Sequence, residues 1–153
     1  MADIKTLVER IKAISLNHKE VNSFHVGNTW DMATGKDDVY PNVWVEFPVL
    51  IEYTSSPRGS NKVYTLSIDV LDLAKNDDTW DEMSKESQCE QIADQLLQAY
   101  QKYISQYSNG RMVGLTVKNI NADKAVGVRI DVQFQTNREC DFDDNFDAKM
   151  TRE

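Results

Sequence analysis

The sequence has few of the residues that usually carry chemistry. Its 153 residues include two cysteines, two histidines and three prolines. No apolar run approaches the roughly 18 residues that a membrane-spanning helix needs. The first residues, Met1 to Lys5, lack the basic and then apolar pattern of a signal peptide. We therefore expect a protein without a membrane span, made and used without Sec-type export.

The cysteines and histidines lie far apart in the sequence. Cys89 falls in a predicted helix, Cys140 falls in a polar C-terminal stretch, and neither belongs to a C-x-x-C pair. A disulfide would need facing Cβ vectors, which a sequence cannot show, so we favour two free thiols in a reducing cytoplasm. His18 and His25 have no cysteine or second histidine at ligand spacing, so we expect no zinc site.

The motifs of enzymes and cofactor-binding proteins are also missing. There is no G-x-S-x-G, S-x-x-K, Walker loop or G-x-G-x-x-G. We therefore expect no enzyme activity and no cofactor. The net charge of −8 disfavours a nucleic-acid groove, because affinity for phosphate comes from clustered Lys and Arg. It is compatible with a surface that DNA passes without sticking.

Acidic residues form two clusters that could be compared with a metal site: Asp141, Asp143, Asn145 and Asp147 near the C-terminus, and Asp77, Asp78, Asp81 and Glu82 before the second predicted helix. An EF-hand needs glycine at its sixth position and glutamate at its twelfth, where this chain has Phe146 and Arg152. We interpret the first cluster as a solvated tail rather than a calcium loop. The second is better explained by turn and helix-start residues than by a divalent ion.

The clearest periodicity lies between Ala125 and Gln135. Apolar residues alternate there with polar or small ones: Val126, Val128, Ile130, Val132 and Phe134. A period of two is typical of a strand with one buried and one wet face. On the wet face, Arg129, Asp131, Gln133 and Gln135 favour water or a polar subunit contact over catalysis.

Two amphipathic helices are predicted. The first begins after a capping Asp3 and runs to about Leu16, with an apolar stripe formed by Ile4, Leu7, Val8, Ile11 and Ile14. The second runs from about Met83 to Tyr107 and ends at a glycine cap, Asn109-Gly110. We expect its Tyr100, Tyr103 and Tyr107 to pack on a sheet rather than to form a base-stacking ladder.

The remaining strands are shorter. They are predicted at Val21–Val26, Asn42–Phe47, Val49–Tyr53 and Val63–Leu71, with a further strand beginning at Val113 and a turn at Asn121–Lys124. Pro48 predicts an edge position or a bulge. Residues Ser55–Asn61 predict an exposed hairpin tip. Gly27 to Asp38 is a polar loop of a length that is usually functional or ordered by a partner.

These elements predict one α+β domain over residues 1–136. Its single sheet is mainly antiparallel or mixed, two helices pack on one face, and the order is α-β-β-β-α-β-β. Residues 137–153 form an acidic C-terminal tail, extended or ordered by a partner.

Two tryptophans are candidates for contacts with another subunit. Trp30 lies in the polar loop, and Trp44 points opposite to Val43 and Val45 on its strand. An aromatic on the less apolar face of a sheet fits an interface anchor, and it fits a wrapped core residue about equally well.

The order of elements resembles the tail-terminator and tail-completion proteins of tailed bacteriophages, including the lambda-like terminator and neck or collar ring proteins. The resemblance rests on the opening helix Ile4–Ile14, the Pro-Asn-Val-Trp-Val-Glu strand at 41–46, the loop Ser55–Asn61, the helix Ile92–Tyr107 and the strand 126–134. It covers the chain to about residue 136. The acidic extension Glu139–Asp147 departs from the pattern.

The resemblance implies a structural virion protein, assembled in the bacterial host cytoplasm. It implies a homo-oligomeric ring, six-fold or twelve-fold, at the head–tail junction or tail end. Its neighbours would be portal, connector or tail proteins, and DNA would pass through the lumen without specific binding. The alternative is a cytoplasmic, acidic, non-enzymatic adaptor that binds a protein partner. The proposed subunit or partner contacts are Trp30, Trp44, Pro57, Arg58, Arg129, Asp131, Asp141, Phe142 and Phe146.

Overall fold

The computed structural model is an α+β fold with one mixed sheet, as predicted. It describes residues 3–34, 38–56, 59–75, 78–108 and 112–137. The helices are α1 (Ile4–Asn17), α2 (Thr29–Ala33) and α3 (Thr79–Tyr103). The strands are β1 (Ser23–Asn28), β2 (Asn42–Ser56), β3 (Gly59–Asp72), β4 (Val113–Val117) and β5 (Val126–Asn137).

The five strands lie in the order β1-β2-β3-β5-β4. β1 runs parallel to β2, and the other neighbouring pairs are antiparallel. The edges of the sheet are therefore β1 and β4, which differ in sequence and direction. None of the described helices is long and apolar enough to cross a membrane.

Helix α1 forms as the sequence predicts. The Asp3 carboxylate accepts a hydrogen bond of 2.7 Å from the backbone N–H of Thr6, which satisfies one of the free donors at the helix start. Leu7 and Ile11, from the predicted apolar stripe, are buried against the sheet and α3.

Helix α3 begins and ends about four residues earlier than predicted. Asp78 caps it by accepting a hydrogen bond from the backbone N–H of Asp81, so the acidic connection forms the first turn. The helix ends at Tyr103, because Ile104 is buried in an extended conformation. The prediction that Tyr107 belongs to this helix is wrong: Tyr107 forms an isolated bridge with Phe134 of β5. The predicted glycine cap at 109–110 lies outside the described residues.

The main core lies between the sheet and helices α1 and α3. The alternation of β5 is confirmed, since Val126, Val128, Ile130, Val132 and Phe134 are all buried. Phe134 meets the rings of Tyr100 and Tyr107 edge to face, with centroids 6.4 and 5.9 Å apart. The predicted packing of two helices on one face of the sheet is therefore confirmed.

The hairpin of β2 and β3 is longer than predicted. The strands stay paired from Asn42↔Leu71 to Ser56↔Gly59, so most of the predicted loop belongs to strands. The bulge predicted from Pro48 is confirmed by a register shift between Glu46 and Leu50.

The segment predicted as a polar loop contains α2. Asn28 and Asp31 form a capping box, with hydrogen bonds of 2.8 and 3.0 Å between side chain and backbone. The helix places Met32 in a second, smaller core on the opposite sheet face, with Trp44, Leu71 and Ala125.

Gly127 lies in a close approach between β5 and β3. A Cβ at this position would be 1.9 Å from the carbonyl oxygen of Val70, so only glycine fits. Gly127 is buried rather than wet, which departs from the predicted alternation.

Candidate functional site

The sheet face opposite α1 and α3 carries a buried charge cluster. We call this surface the polar sheet face. Across β2, β3 and β5 it brings together Glu46, Asp69 and Arg129, which occupy neighbouring register positions. Nε of Arg129 lies 2.9 Å from Oδ1 of Asp69, and Nη2 of Arg129 lies 3.0 Å from Oε1 of Glu46. The guanidinium of Arg129 therefore donates hydrogen bonds to two carboxylates.

Asp69 is the most enclosed member of this cluster. It is 0% exposed, and its Oδ2 atom has no hydrogen-bond partner. Burial and the neighbouring Glu46 carboxylate raise the pKa of Asp69 to about 7, and Arg129 opposes them. The predicted wet-face residue Arg129 is thus held within its own chain, with its side chain 30% exposed.

Asp131 occupies the next register position and is exposed. Its carboxylate accepts a hydrogen bond of 2.7 Å from the hydroxyl of Ser67. In the described strands, Arg129 is the one lysine or arginine at a polar-face position, whereas Glu46, Glu52, Asp69 and Asp131 are acidic. The face therefore favours repulsion of phosphate over its capture.

Trp44 belongs to the second core. It is 7% exposed, and its ring stacks on that of His25 with centroids 4.9 Å apart. His25 in turn lies 2.7 Å from the carboxylate of Asp38, measured from Nε2. Of the two interpretations of Trp44, the structure gives the wrapped core residue. Trp30 on α2 is 74% exposed and remains a candidate contact.

Tyr40 packs against the second core, at the end of the polar sheet face where Trp44 lies. Its hydroxyl donates to Asp123 at 2.7 Å and accepts from Asn121 at 2.8 Å. Burial, followed by the hydrogen bond to Asp123, raises the pKa of Tyr40. The phenol therefore stays protonated, and it ties the turn before β5 to the start of β2.

A groove of about 680 Å³ lies on the other sheet face, between α3 and β4. We call it the α3–β4 groove. Its floor is formed by Gly114, Thr116, Val128 and Ile130, and its helix wall includes Ser87, Glu90, Gln91, Ala93, Asp94 and Leu97. The wall is acidic because Glu90 and Asp94 are both exposed.

Strand β4 places its apolar residues on the side away from α3. Leu115 is opposite Arg129 and Val113 is opposite Asp131, so both lie on the polar sheet face. They are 58% and 55% exposed. The side of β4 that faces α3 carries only Gly114 and Thr116. Both sides of this edge strand are therefore uncovered in the described part of the chain.

The predicted contact residues are not gathered into one site. Arg129, Asp131 and Trp44 lie on the polar sheet face, and Trp30 lies on α2. Pro57, Arg58, Asp141, Phe142 and Phe146 lie outside the described residues, as does the acidic C-terminal cluster that we interpret as a solvated tail. The sequence reasoning missed Glu46 and Asp69. The sequence shows that both residues alternate with apolar neighbours. Their ion pairs with Arg129 cannot be predicted from it, because they depend on the register of three strands.

The acidic residues before α3 act as local structure. Asp78 caps the helix, Asp81 accepts a hydrogen bond of 2.6 Å from the Lys75 N–H, and Glu82 pairs with Lys118 at 2.8 Å. No group of three or more His, Cys, Asp or Glu is arranged to hold a metal ion within the segments that the structure describes.

No protein-family model matches this chain, and no curated protein matches it significantly. A function for this chain therefore rests on the sequence resemblance, the fold, the polar sheet face and the α3–β4 groove.

Proposed function

We propose that this protein is a structural virion protein of a tailed bacteriophage, forming a ring at the head–tail junction or the tail end. The proposal starts from the sequence resemblance, and the α+β order of elements is compatible with it. Its partners are copies of itself and neighbouring portal, connector or tail proteins. DNA passes through the lumen without specific binding.

The observation that carries the proposal is strand β4. An edge strand with exposed Val113 and Leu115 on one side and an open groove on the other is a liability for an isolated molecule, because free edges invite pairing. The opposite edge, β1, is a different surface. Contacts between two different patches on identical subunits are heterologous, and they close into rings when the rotation permits.

The polar sheet face supports the lumen part of the proposal. Its one polar-face cation in the described strands is already paired with two carboxylates, so a ring with this face inward would present an acidic wall. Carboxylates repel phosphates, which would let DNA slide past.

The experiment is to purify the full chain and follow its mass by size-exclusion chromatography with light scattering, then to image it by electron microscopy. We expect closed rings with a central hole, formed by the chain alone or on phage heads or tails assembled without it. A monomer or two-fold dimer that joins neither particle would contradict the ring and favour the adaptor. Genes for portal, capsid or tail proteins are expected on either side of this one.

A further inference from the structure

We propose that the α3–β4 groove is the seat of helix α1 and strand β1 of a second copy of this chain, so that the sheets of successive copies join edge to edge. The inference rests on the proposed ring and identifies the two surfaces that would build it. It also goes beyond the ring, because the same junction could be present in an open chain of copies.

The direction of the strands suits such a junction. Following the sheet order from β1, the strands run up, up, down, up and down, because only β1 and β2 are parallel. A second copy placed beside β4 in the same orientation brings its β1 antiparallel to β4. The backbone groups on the outer sides of both edges, which have no partner strand among the described residues, can then pair in an antiparallel ladder.

The helix layer has a gap where the second copy would enter. α3 packs on β3 and β5, and α1 packs on β1 and against α3, whereas β4 has no helix above it in the described structure. Gly114 and Thr116 have small side chains, so a helix can approach the sheet closely there. An incoming α1 would continue the layer over β4, since it already overlies β1 in its own copy.

One flank of α1 fits this gap. Ser15 marks the flank that faces α3 in the same chain, since its hydroxyl lies 3.0 Å from that of Tyr100. Arg10 is five residues away, which places it roughly 140° around the helix. The same outer flank holds Thr6, Ala13 and Asn17, all with short side chains. This outer flank therefore combines short side chains with one positive charge, that of Arg10.

The charges of the two edges are complementary, and each edge exposes an apolar side chain. Exposed Arg10 would face a groove wall that carries Glu90 and Asp94. Both edges expose apolar side chains, one on each face: Leu115 lies on the polar-face side of β4, and Val26 lies on the α1 side of β1. Joining the edges would cover apolar surface, and the opposite charges would fix the partner's orientation.

The first experiment reverses the charges in the full chain. Arg10→Glu and Glu90→Lys each place like charges across the proposed junction. We expect each to raise the concentration for half-assembly by about tenfold or more. The double variant R10E/E90K restores an opposite pair and is expected to return assembly toward that of the wild type. Glu52→Lys, on the exposed part of β2 beyond the end of β1 and outside the proposed contact, is the matched control and should assemble normally.

The second experiment reports the contact directly. The variants Thr116→Cys and Val26→Cys are made in a Cys140→Ser background, so that each has one engineered cysteine besides the buried Cys89. A short bismaleimide is added to each variant alone and to the mixture. We expect cross-linked dimers in the mixture and few in either variant alone. Such a pattern requires two different edges to meet.

The outcomes separate this inference from the ring. If the R10E and E90K variants form rings as readily as the wild type, and the mixture of cysteine variants gives no cross-linked dimer, the proposed junction is wrong and the ring proposal stands. Dimers or open chains that R10E and E90K abolish and the double variant restores, without any ring, would support the junction and contradict the ring. A wild-type chain that stays monomeric alone and joins neither phage heads nor tails would overturn both.

Discussion

Asp69 and Arg129 face each other across β3 and β5, with Nε of Arg129 2.9 Å from Oδ1 of an aspartate that has no exposed surface. The same guanidinium pairs with Glu46. With both carboxylates ionised, the cluster has one more negative than positive charge, and Asp69 is shielded from water. The stability of the polar sheet face therefore depends on Arg129.

Replacing Arg129 by methionine should destabilise the fold. The substitution keeps much of the side-chain volume and removes the cation, which leaves Glu46 and Asp69 side by side. Breaking a buried ion pair from one side typically costs about 3–5 kcal/mol. We expect a loss of about 3 kcal/mol in the free energy of unfolding at pH 8, measured by urea denaturation.

Asp131→Asn is the matched control for this prediction. Asp131 is the exposed neighbour of Arg129 on the same strand face, and its carboxylate accepts a hydrogen bond from the hydroxyl of Ser67. We expect a change within about 1 kcal/mol. An equal loss in both variants would show that the charge cluster has no special role.

The pH dependence of stability should report on Asp69. Its pKa in the folded chain is raised to about 7, above the ordinary aspartate value of 3.8. The folded state then binds more protons than the unfolded state between these values. The stabilisation is fully present below about pH 4 and is lost as the pH rises through 7.

The measurement compares the wild type with Asp69→Asn from pH 4 to 8. The stability of the wild type relative to the variant should fall as the pH rises, with a slope of at most about 1.4 kcal/mol per pH unit. This difference should level off as the pH approaches 8, about one unit above the pKa. A constant difference across the range would mean that Asp69 stays ionised.

The sequence predicts the class of the fold because the periodicities of α1 and β5 are strong and their caps are local. It fails where the structure depends on distant partners. Trp44 could not be assigned to a core, because α2, which supplies Met32, was hidden in a polar segment. Tyr107 continues the helical spacing of Tyr100, but the chain leaves the helix to meet Phe134 of β5.

The candidate site illustrates the same limit. Arg129 and Asp131 could be placed on one strand face from alternation alone. The pairing of Arg129 with Asp69 requires the register of β3 against β5, and their sequence separation gives no hint of it. The α3–β4 groove requires knowing that Leu115 faces away from α3, which alternation within one short strand cannot decide.

The contact between Ser15 and Tyr100 joins α1 to α3. Their hydroxyls are 3.0 Å apart, and both residues are 0% exposed. Ser15→Ala and Tyr100→Phe should each cost about 1–2 kcal/mol, because each leaves a buried hydroxyl without its partner. The double variant should cost less than the sum. Additive losses in urea denaturation would show that the two hydroxyls do not interact.

Cys89 should be unreactive in the folded protein. It is a free thiol with 0% exposure, and burial raises its pKa to about 12. In a Cys140→Ser background, we expect its reaction with a disulfide reagent at pH 8 to be at least about a hundredfold slower than in urea. Comparable rates in the folded and unfolded chain would place this thiol at the surface.

The last prediction concerns the lumen and rests on the proposed ring. Wild-type rings should not shift DNA at about 150 mM salt, because the polar sheet face offers no unpaired cation in its described strands. Replacing Glu52, Gln133 and Gln135 by lysine puts three cations on that face. If the face lines the lumen, preformed variant rings should retain linear DNA, which can thread, but not closed circular DNA. Lysines in place of Gln88, Gln98 and Gln101, which are exposed on α3, should bind both forms. Equal retention of circular and linear DNA by the polar-face variant would place this face outside the lumen.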